Sequence, residues 1–120
     1  MANLSIVYSS SFFLLYPIAE LLLHNNGLTG GIPDVSENTN LYRLELSNNT
    51  LSGGISGNGI FNLENLELLY LDHNQLTGTI PVNFGNNSNL ADIFLNDNLF
   101  SGPIPNIPDD GVTLLKLRKC

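Results

Sequence analysis

The sequence predicts a repeat protein whose coils stack into a solenoid, each coil contributing one short β-strand. Leu and Asn together fill 41 of the 120 positions, with 23 Leu and 18 Asn, a bias expected when one local rule is applied repeatedly. A thirteen-position pattern, L-x-L-x-x-N-x-L-x-G-x-I-P, recurs four times with small departures, and its central Asn stands at positions 26, 49, 74 and 98. The near-constant spacing of 23 to 25 residues between these positions fits one structural unit per copy.

The first copy spans residues 21–33. Alternate side chains of a strand point to opposite faces, so the L-x-L segment places one row of side chains inside the coil. The inward positions of this copy are Ile18, Leu21, Leu23, Leu28 and Ile32. Five such side chains cannot offset the entropy lost in ordering a whole coil, whereas stacked coils cover each other's open sides. We therefore predict one apolar core shared by all copies.

Later copies begin at Leu44, Leu69 and Ile93, and a fifth starts but stops partway through the pattern. We predict that residues 18–120 form four repeats and the start of a fifth. Residues 1–17 are predicted to be an irregular N-terminal segment, either the damaged end of an earlier coil or a poor signal peptide. Neither end carries a recognisable cap, so we expect the chain to be a piece of a longer repeat protein or a truncated gene product.

A polar residue follows the predicted strand at the same place in every copy. Its amide can pair backbone groups that the turn would otherwise leave unpaired beside the core. This structural column consists of Asn26, Asn49, Asn74 and Asn98, with Cys120 as a small buried side chain in the fifth copy. Glycine at positions 30, 53, 78 and 102 marks a bend, and a short second extended segment follows. The Asn- and Gly-rich segments between copies favour turns or short 3₁₀ helices over long α-helices.

These motifs resemble plant-type leucine-rich repeats, which carry L-x-G-x-I-P after a shared L-x-x-L-x-L-x-x-N core. The resemblance covers roughly residues 18–120 and implies an α/β fold: a right-handed solenoid shaped as a short horseshoe. Its parallel β-sheet would line the concave face, and turns and 3₁₀ segments the convex face. It also implies a non-enzymatic module that binds a protein, peptide or glycan.

The family resemblance leaves several settings open for such a module. The leading one is the ectodomain of a receptor-like protein or receptor kinase, at the cell surface or outside the cell. Alternatives are a free secreted binder similar to polygalacturonase-inhibiting proteins and an intracellular, cytoplasmic scaffold.

The strand residues between the inward leucines would face a partner on the concave sheet. Exposed aromatic and aliphatic groups surrounded by charge are typical of interface centres, although any outward sheet face carries mixed residues. The candidate partner-binding residues are Leu22, Tyr42, Arg43, Glu45, Tyr70, Asp72, His73, Phe94, Asn96, Asp97, Lys116 and Arg118. Asn48 and Asn86 begin Asn-x-Ser/Thr sequons and are candidate N-glycosylation sites, Asn86 on a predicted outer loop and Asn48 on the concave side.

Composition and spacing exclude several function classes. Four Lys and Arg residues against eleven Asp and Glu give a formal charge of −7, which is the opposite of a nucleic-acid-binding footprint. The longest apolar run, residues 12–19, has eight residues and is too short for the ~20 residues of a membrane span. No metal or cofactor is predicted. We predict no enzymatic activity either, because strand alternation should make the Asp72 and His73 side chains diverge and no Ser or Cys nucleophile is placed beside them.

Overall fold

Short strands make up most of the regular structure. The structure is a computed structural model that describes residues 18–81 and 89–103 and the backbone of residues 114–116. Its strands are β1 (Glu20–Leu22), β2 (Thr29–Gly31), β3 (Arg43–Glu45), β4 (Thr50–Gly53), β5 (Leu68–Tyr70), β6 (Gln75–Leu76), β7 (Asp92–Phe94) and β8 (Leu114–Lys116). A 3₁₀ helix at Ile60–Asn62 lies between β4 and β5. Within the described ranges, no helix has the length and apolar character that a bilayer crossing requires.

The strands form two parallel sheets that run along the stack of coils. One has five strands in the order β1–β3–β5–β7–β8, and the other has three in the order β2–β4–β6. In the larger sheet the register partners are Leu21, Leu44, Leu69, Ile93 and Leu115. Each strand therefore pairs with the equivalent strand one coil away, which confirms the predicted solenoid with a parallel sheet. The second extended segments of the first three copies form the smaller sheet, and an isolated parallel bridge between Thr79 and Ser101 leads on to the fourth copy.

The inward leucines form one core that continues from coil to coil. Leu44 and Leu69, at the centres of their strands, are fully buried. In the first copy, Ile18, Leu21 and Leu23 pack against this core but stay half-buried. The reason is that β1 has a described strand on only one side, so half of the cover that an inner coil receives is missing there.

The glycines of the repeated pattern, which lie in or just after the second extended segment of each copy, have left-handed backbone conformations. The pattern glycines have φ values of 84° at Gly30, 80° at Gly53, 82° at Gly78 and 80° at Gly102. A further bend at Gly59, with φ 79°, leads into the 3₁₀ helix. A Cβ at this position would lie 2.6 Å from Ser36 Cβ in the preceding coil, so both the backbone conformation and the close approach require glycine.

Asparagine side chains join each coil to the one before it. The side-chain nitrogen of Asn74 donates to the Leu46 carbonyl oxygen of the preceding coil at 2.9 Å and to the Leu71 carbonyl oxygen of its own coil at 3.2 Å. Its Oδ1 accepts a hydrogen bond from the Leu51 N–H at 3.0 Å. One amide thus pairs both a donor and acceptors of the buried backbone, so these groups need no water.

Other members of the column follow the same scheme to different extents. Asn49 and Asn98 make equivalent bonds to the coil before them and to their own coil. Asn26 is only half-buried, and its side-chain nitrogen donates to the His24 carbonyl oxygen at 3.1 Å within the same coil. Cys120 lies outside the described residues.

Candidate functional site

The outward side chains of the five-stranded sheet and of the turns directly after its strands lie on the concave side of the solenoid, and we call this surface the sheet face. In β3, β5 and β7 the middle residue is buried and its two neighbours are half-buried. The register places five candidate residues next to each other in one row: Leu22, Glu45, Tyr70, Phe94 and, by backbone position, Lys116. Leu22 at the end of this row is 44% exposed.

Two aromatic rings meet at the centre of the row. The ring centroids of Tyr70 and Phe94 are 4.6 Å apart and their planes make an angle of 22°, so the rings are stacked. The Tyr70 hydroxyl donates to Asp92 Oδ2 at 3.4 Å. Partial burial raises the pKa of the Tyr70 hydroxyl, and the negative charge of Asp92 raises it further. The pair is therefore a half-exposed apolar surface with a carboxylate at its edge.

Arg43 is held by two glutamates on the same face. Its Nε donates to Glu45 Oε2 at 2.8 Å, and its Nη2 lies 2.7 Å from the same oxygen. Its Nη1 lies 3.6 Å from Glu20 Oε2. The half-buried Tyr42 precedes β3, and burial together with a hydrogen bond to Glu20 raises the pKa of its hydroxyl. The positive charge of Arg43 is thus already compensated within the sheet face.

Several candidate residues lie in the turn after a strand rather than in the sheet. Asn48, His73 and Asp97 have φ values of 56°, 57° and 58°, a left-handed conformation that is uncommon for residues other than glycine. The expected divergence of the Asp72 and His73 side chains is wrong, because His73 Nε2 lies 3.7 Å from Asp72 Oδ2 and 3.4 Å from Asp97 Oδ2. Strand alternation does not extend through a left-handed residue, so it cannot be used to predict the direction of the His73 side chain.

Neutral donors hold the carboxylates of these turns in place. The Ser47 hydroxyl donates to Asp72 Oδ1 at 2.6 Å, and the Asn96 side-chain nitrogen donates to Asp97 Oδ2 at 2.9 Å. Among the described residues, no three His, Cys, Asp or Glu side chains come together in a way that could hold a metal ion. The arrangement presents fixed carboxylates beside apolar rings.

Two carboxylates outside the candidate set belong to the same surface. Glu20 contacts Arg43, and Asp92 contacts Tyr70. Both share a second register row with Arg43, in which Leu68 stands between Arg43 and Asp92. Strand alternation alone already predicts that both face outward on this sheet.

The remaining candidate positions stand apart from these contacts. Arg118 and Asn86 lie outside the described residues. Asn48 is exposed, and its glycosylation stays a prediction.

A stack of parallel coils joined by an asparagine column defines a repeat solenoid. The chain belongs to the leucine rich repeat family, whose model matches residues 17–76. It is 38% identical over 98 residues to Receptor-like protein 39 of Arabidopsis thaliana, an alignment that covers 80% of this chain and 11% of that protein. It is also 40% identical over 103 residues to Receptor-like protein 31 of the same plant, covering 82% of this chain and 11% of that protein.

Solved structures show the same architecture. The ectodomain of the receptor kinase SOBIR1 from Arabidopsis thaliana matches with a TM-score of 0.71 and 34% identity, covering 85% of this chain and 58% of that chain. The plant peptide hormone receptor RGFR1, solved in complex with RGF2, matches with a TM-score of 0.76 and 35% identity, covering 84% of this chain and 16% of that chain. The chain spans about one tenth of the length of the curated relatives it matches.

Proposed function

We propose that this chain is a non-enzymatic recognition module of a receptor-like protein and that it binds a peptide or protein partner across the sheet face. The stacked pair of Tyr70 and Phe94 carries this proposal. It stands at the centre of a register row, half-exposed, with carboxylates around it. Aromatic anchors inside a polar rim are the usual composition of an interface centre.

The rigidity of the platform supports the same function. The two rings are mounted on β5 and β7, whose inward residues Leu69 and Ile93 are buried in the core. The amides of Asn74 and Asn98 hold the turns after both strands. A binding surface fixed in this way loses little conformational entropy when a partner arrives, which favours affinity.

The comparisons support the nature of the partner and the setting. RGFR1, solved in complex with RGF2, is a peptide hormone receptor, and by analogy we assign a peptide or a peptide-like protein segment to this chain. Similarity to receptor-like proteins supports a place at the cell surface or outside the cell. The analogy transfers a class of partner and no individual ligand.

Peptide selection on the immobilised chain tests this function. Peptides enriched from a random display library on the unmodified chain should bind Tyr70→Ala and Phe94→Ala about tenfold or more weakly, as expected for interface anchors. Both variants should keep nearly the same circular dichroism melting curve, because their rings lie outside the core.

Leu99→Ala is the matched control, since Leu99 is an apolar side chain that is 63% exposed and lies outside the five-stranded sheet. It should leave peptide binding unchanged. Selected peptides that ignore both ring variants, or a large loss of melting temperature in either variant, would overturn the proposal.

A further inference from the structure

The sheet face carries a large excess of negative charge among its described side chains. Its carboxylates belong to Glu20, Glu45, Asp72, Asp92 and Asp97, and its one described guanidinium belongs to Arg43. Five negative groups against one positive group leave an excess of four. Such a field attracts oppositely charged partners and repels those of like charge.

Three of these carboxylates are not neutralised by Arg43, which is paired with both glutamates. Asp92 accepts a long hydrogen bond from the Tyr70 hydroxyl, at 3.4 Å. Asp72 and Asp97 accept hydrogen bonds from a serine and an asparagine, which carry no charge. His73 lies near both of them and would offset their charge only if protonated. Among the described side chains, these three carboxylates are therefore not paired with a lysine or arginine.

Along the strand direction, the aromatic pair lies between two of these carboxylates, Asp92 before it and Asp72 after it. Asp92 touches Tyr70 directly, and Asp72 stands two residues after Tyr70, a separation of about 7 Å along an extended chain. A guanidinium group stacks on aromatic rings and pairs with carboxylates through several N–H groups at once. A neutral or acidic segment in the same place would desolvate the carboxylates without pairing them.

We infer that the partner of the sheet face is a cationic peptide segment, with an arginine or lysine side chain lying against Tyr70 and Phe94 and paired with Asp92. This inference rests on the proposed function and adds the chemical class of the ligand. Lys116 takes the register position beyond Phe94, on the side of the pair away from Tyr70.

Three synthetic peptides of equal length test the charge requirement. They share one sequence except at four positions, which carry arginine, its uncharged analogue citrulline, or glutamate. The arginine peptide should bind the full chain at least about tenfold more tightly than the citrulline peptide, and the glutamate peptide should bind least. The advantage of arginine should shrink when ionic strength rises from about 0.05 M to about 0.3 M.

Variants at the site and away from it distinguish specific binding from general electrostatic attraction to an acidic chain. Asp92→Asn and Tyr70→Ala should each weaken the arginine peptide severalfold, whereas Glu64→Gln should not, because Glu64 lies outside the sheet face on the connection after the 3₁₀ helix. Equal weakening by Asp92→Asn and Glu64→Gln, which remove the same charge, would mean non-specific attraction and would overturn the inference.

Selection from the random library distinguishes failure of this inference from failure of the proposed function. Enriched peptides that depend on Tyr70 but are neutral or acidic would overturn the cationic assignment and leave the recognition function standing. If no enriched peptide depends on Tyr70 or Phe94, both proposals fail. Enrichment of Arg- or Lys-bearing peptides that depend on Tyr70 and Asp92 supports both.

Discussion

Replacing Asn74 by alanine tests how the coils are joined. The Asn74 side chain is buried, and its amide bonds to backbone groups of the preceding coil and of its own coil. The Leu51 N–H donates to Asn74 Oδ1, so alanine removes that acceptor beside a fully buried residue. The carbonyl oxygen of Leu46 loses the Asn74 amide but keeps its bond from the Asn49 side chain at 3.0 Å.

The expected loss of stability depends on whether each backbone group keeps another hydrogen-bond partner after the substitution. A buried donor left unpaired costs about 1–3 kcal/mol, and each lost bond to a carbonyl that keeps another donor costs about 1 kcal/mol or less. Asn74→Ala should therefore lower the free energy of unfolding by about 2–4 kcal/mol. Urea unfolding followed by circular dichroism measures this, and the slope of the transition shows whether the coils still unfold together.

Asn26→Ala is the matched control in the same column. Its half-buried side chain donates to one carbonyl of its own coil, so the same substitution should cost less than about 1 kcal/mol. If Asn74→Ala proved as mild as Asn26→Ala, the column would not hold the coils together and the assigned bonds would be wrong.

Glycine, leucine and tyrosine positions elsewhere in the solenoid give three further tests. Gly59→Ala should destabilise the chain more than Gly78→Ala in urea, since φ is positive at both but only at Gly59 would a Cβ meet the neighbouring coil; equal losses would contradict this. Leu69→Ala should cost about 2–5 kcal/mol because Leu69 is fully buried, and a loss below about 1 kcal/mol would place the core elsewhere. The raised pKa of Tyr70 means that its contribution to stability is intact below about pH 10 and is lost as the pH rises through the higher folded-state pKa. Burial should keep the Tyr70 pKa raised in Asp92→Asn, but ultraviolet titration should show it moving down, and an unchanged value would refute the contribution of the Asp92 charge.

Much of the fold could be read from spacing alone. Alternating leucines identify the inner side of each strand, and a near-constant period means that strands one coil apart pair in register. The same arithmetic places Tyr70 beside Phe94, which the register of β5 and β7 shows directly. The inward rows and the strand register follow from the spacing of residues along the chain, which the repeated pattern fixes.

Side-chain pairing in the turns could not be read in the same way. Alternation predicts divergent Asp72 and His73 side chains, yet the left-handed backbone at His73 brings them within 3.7 Å. Which carboxylates Arg43 pairs with likewise depends on side-chain rotamers and on the strand one coil away. Neither the sign of φ at a non-glycine residue nor a rotamer follows from residue type.

By itself the sequence determined the coil length, the apolar inner row and the set of residues that share the sheet face, because all three follow from periodicity. Only the tertiary structure decided which of those residues touch, which carboxylates remain uncompensated and where two rings stack. Those outcomes depend on distances of a few ångströms between separate coils, which are set when the coils pack against each other.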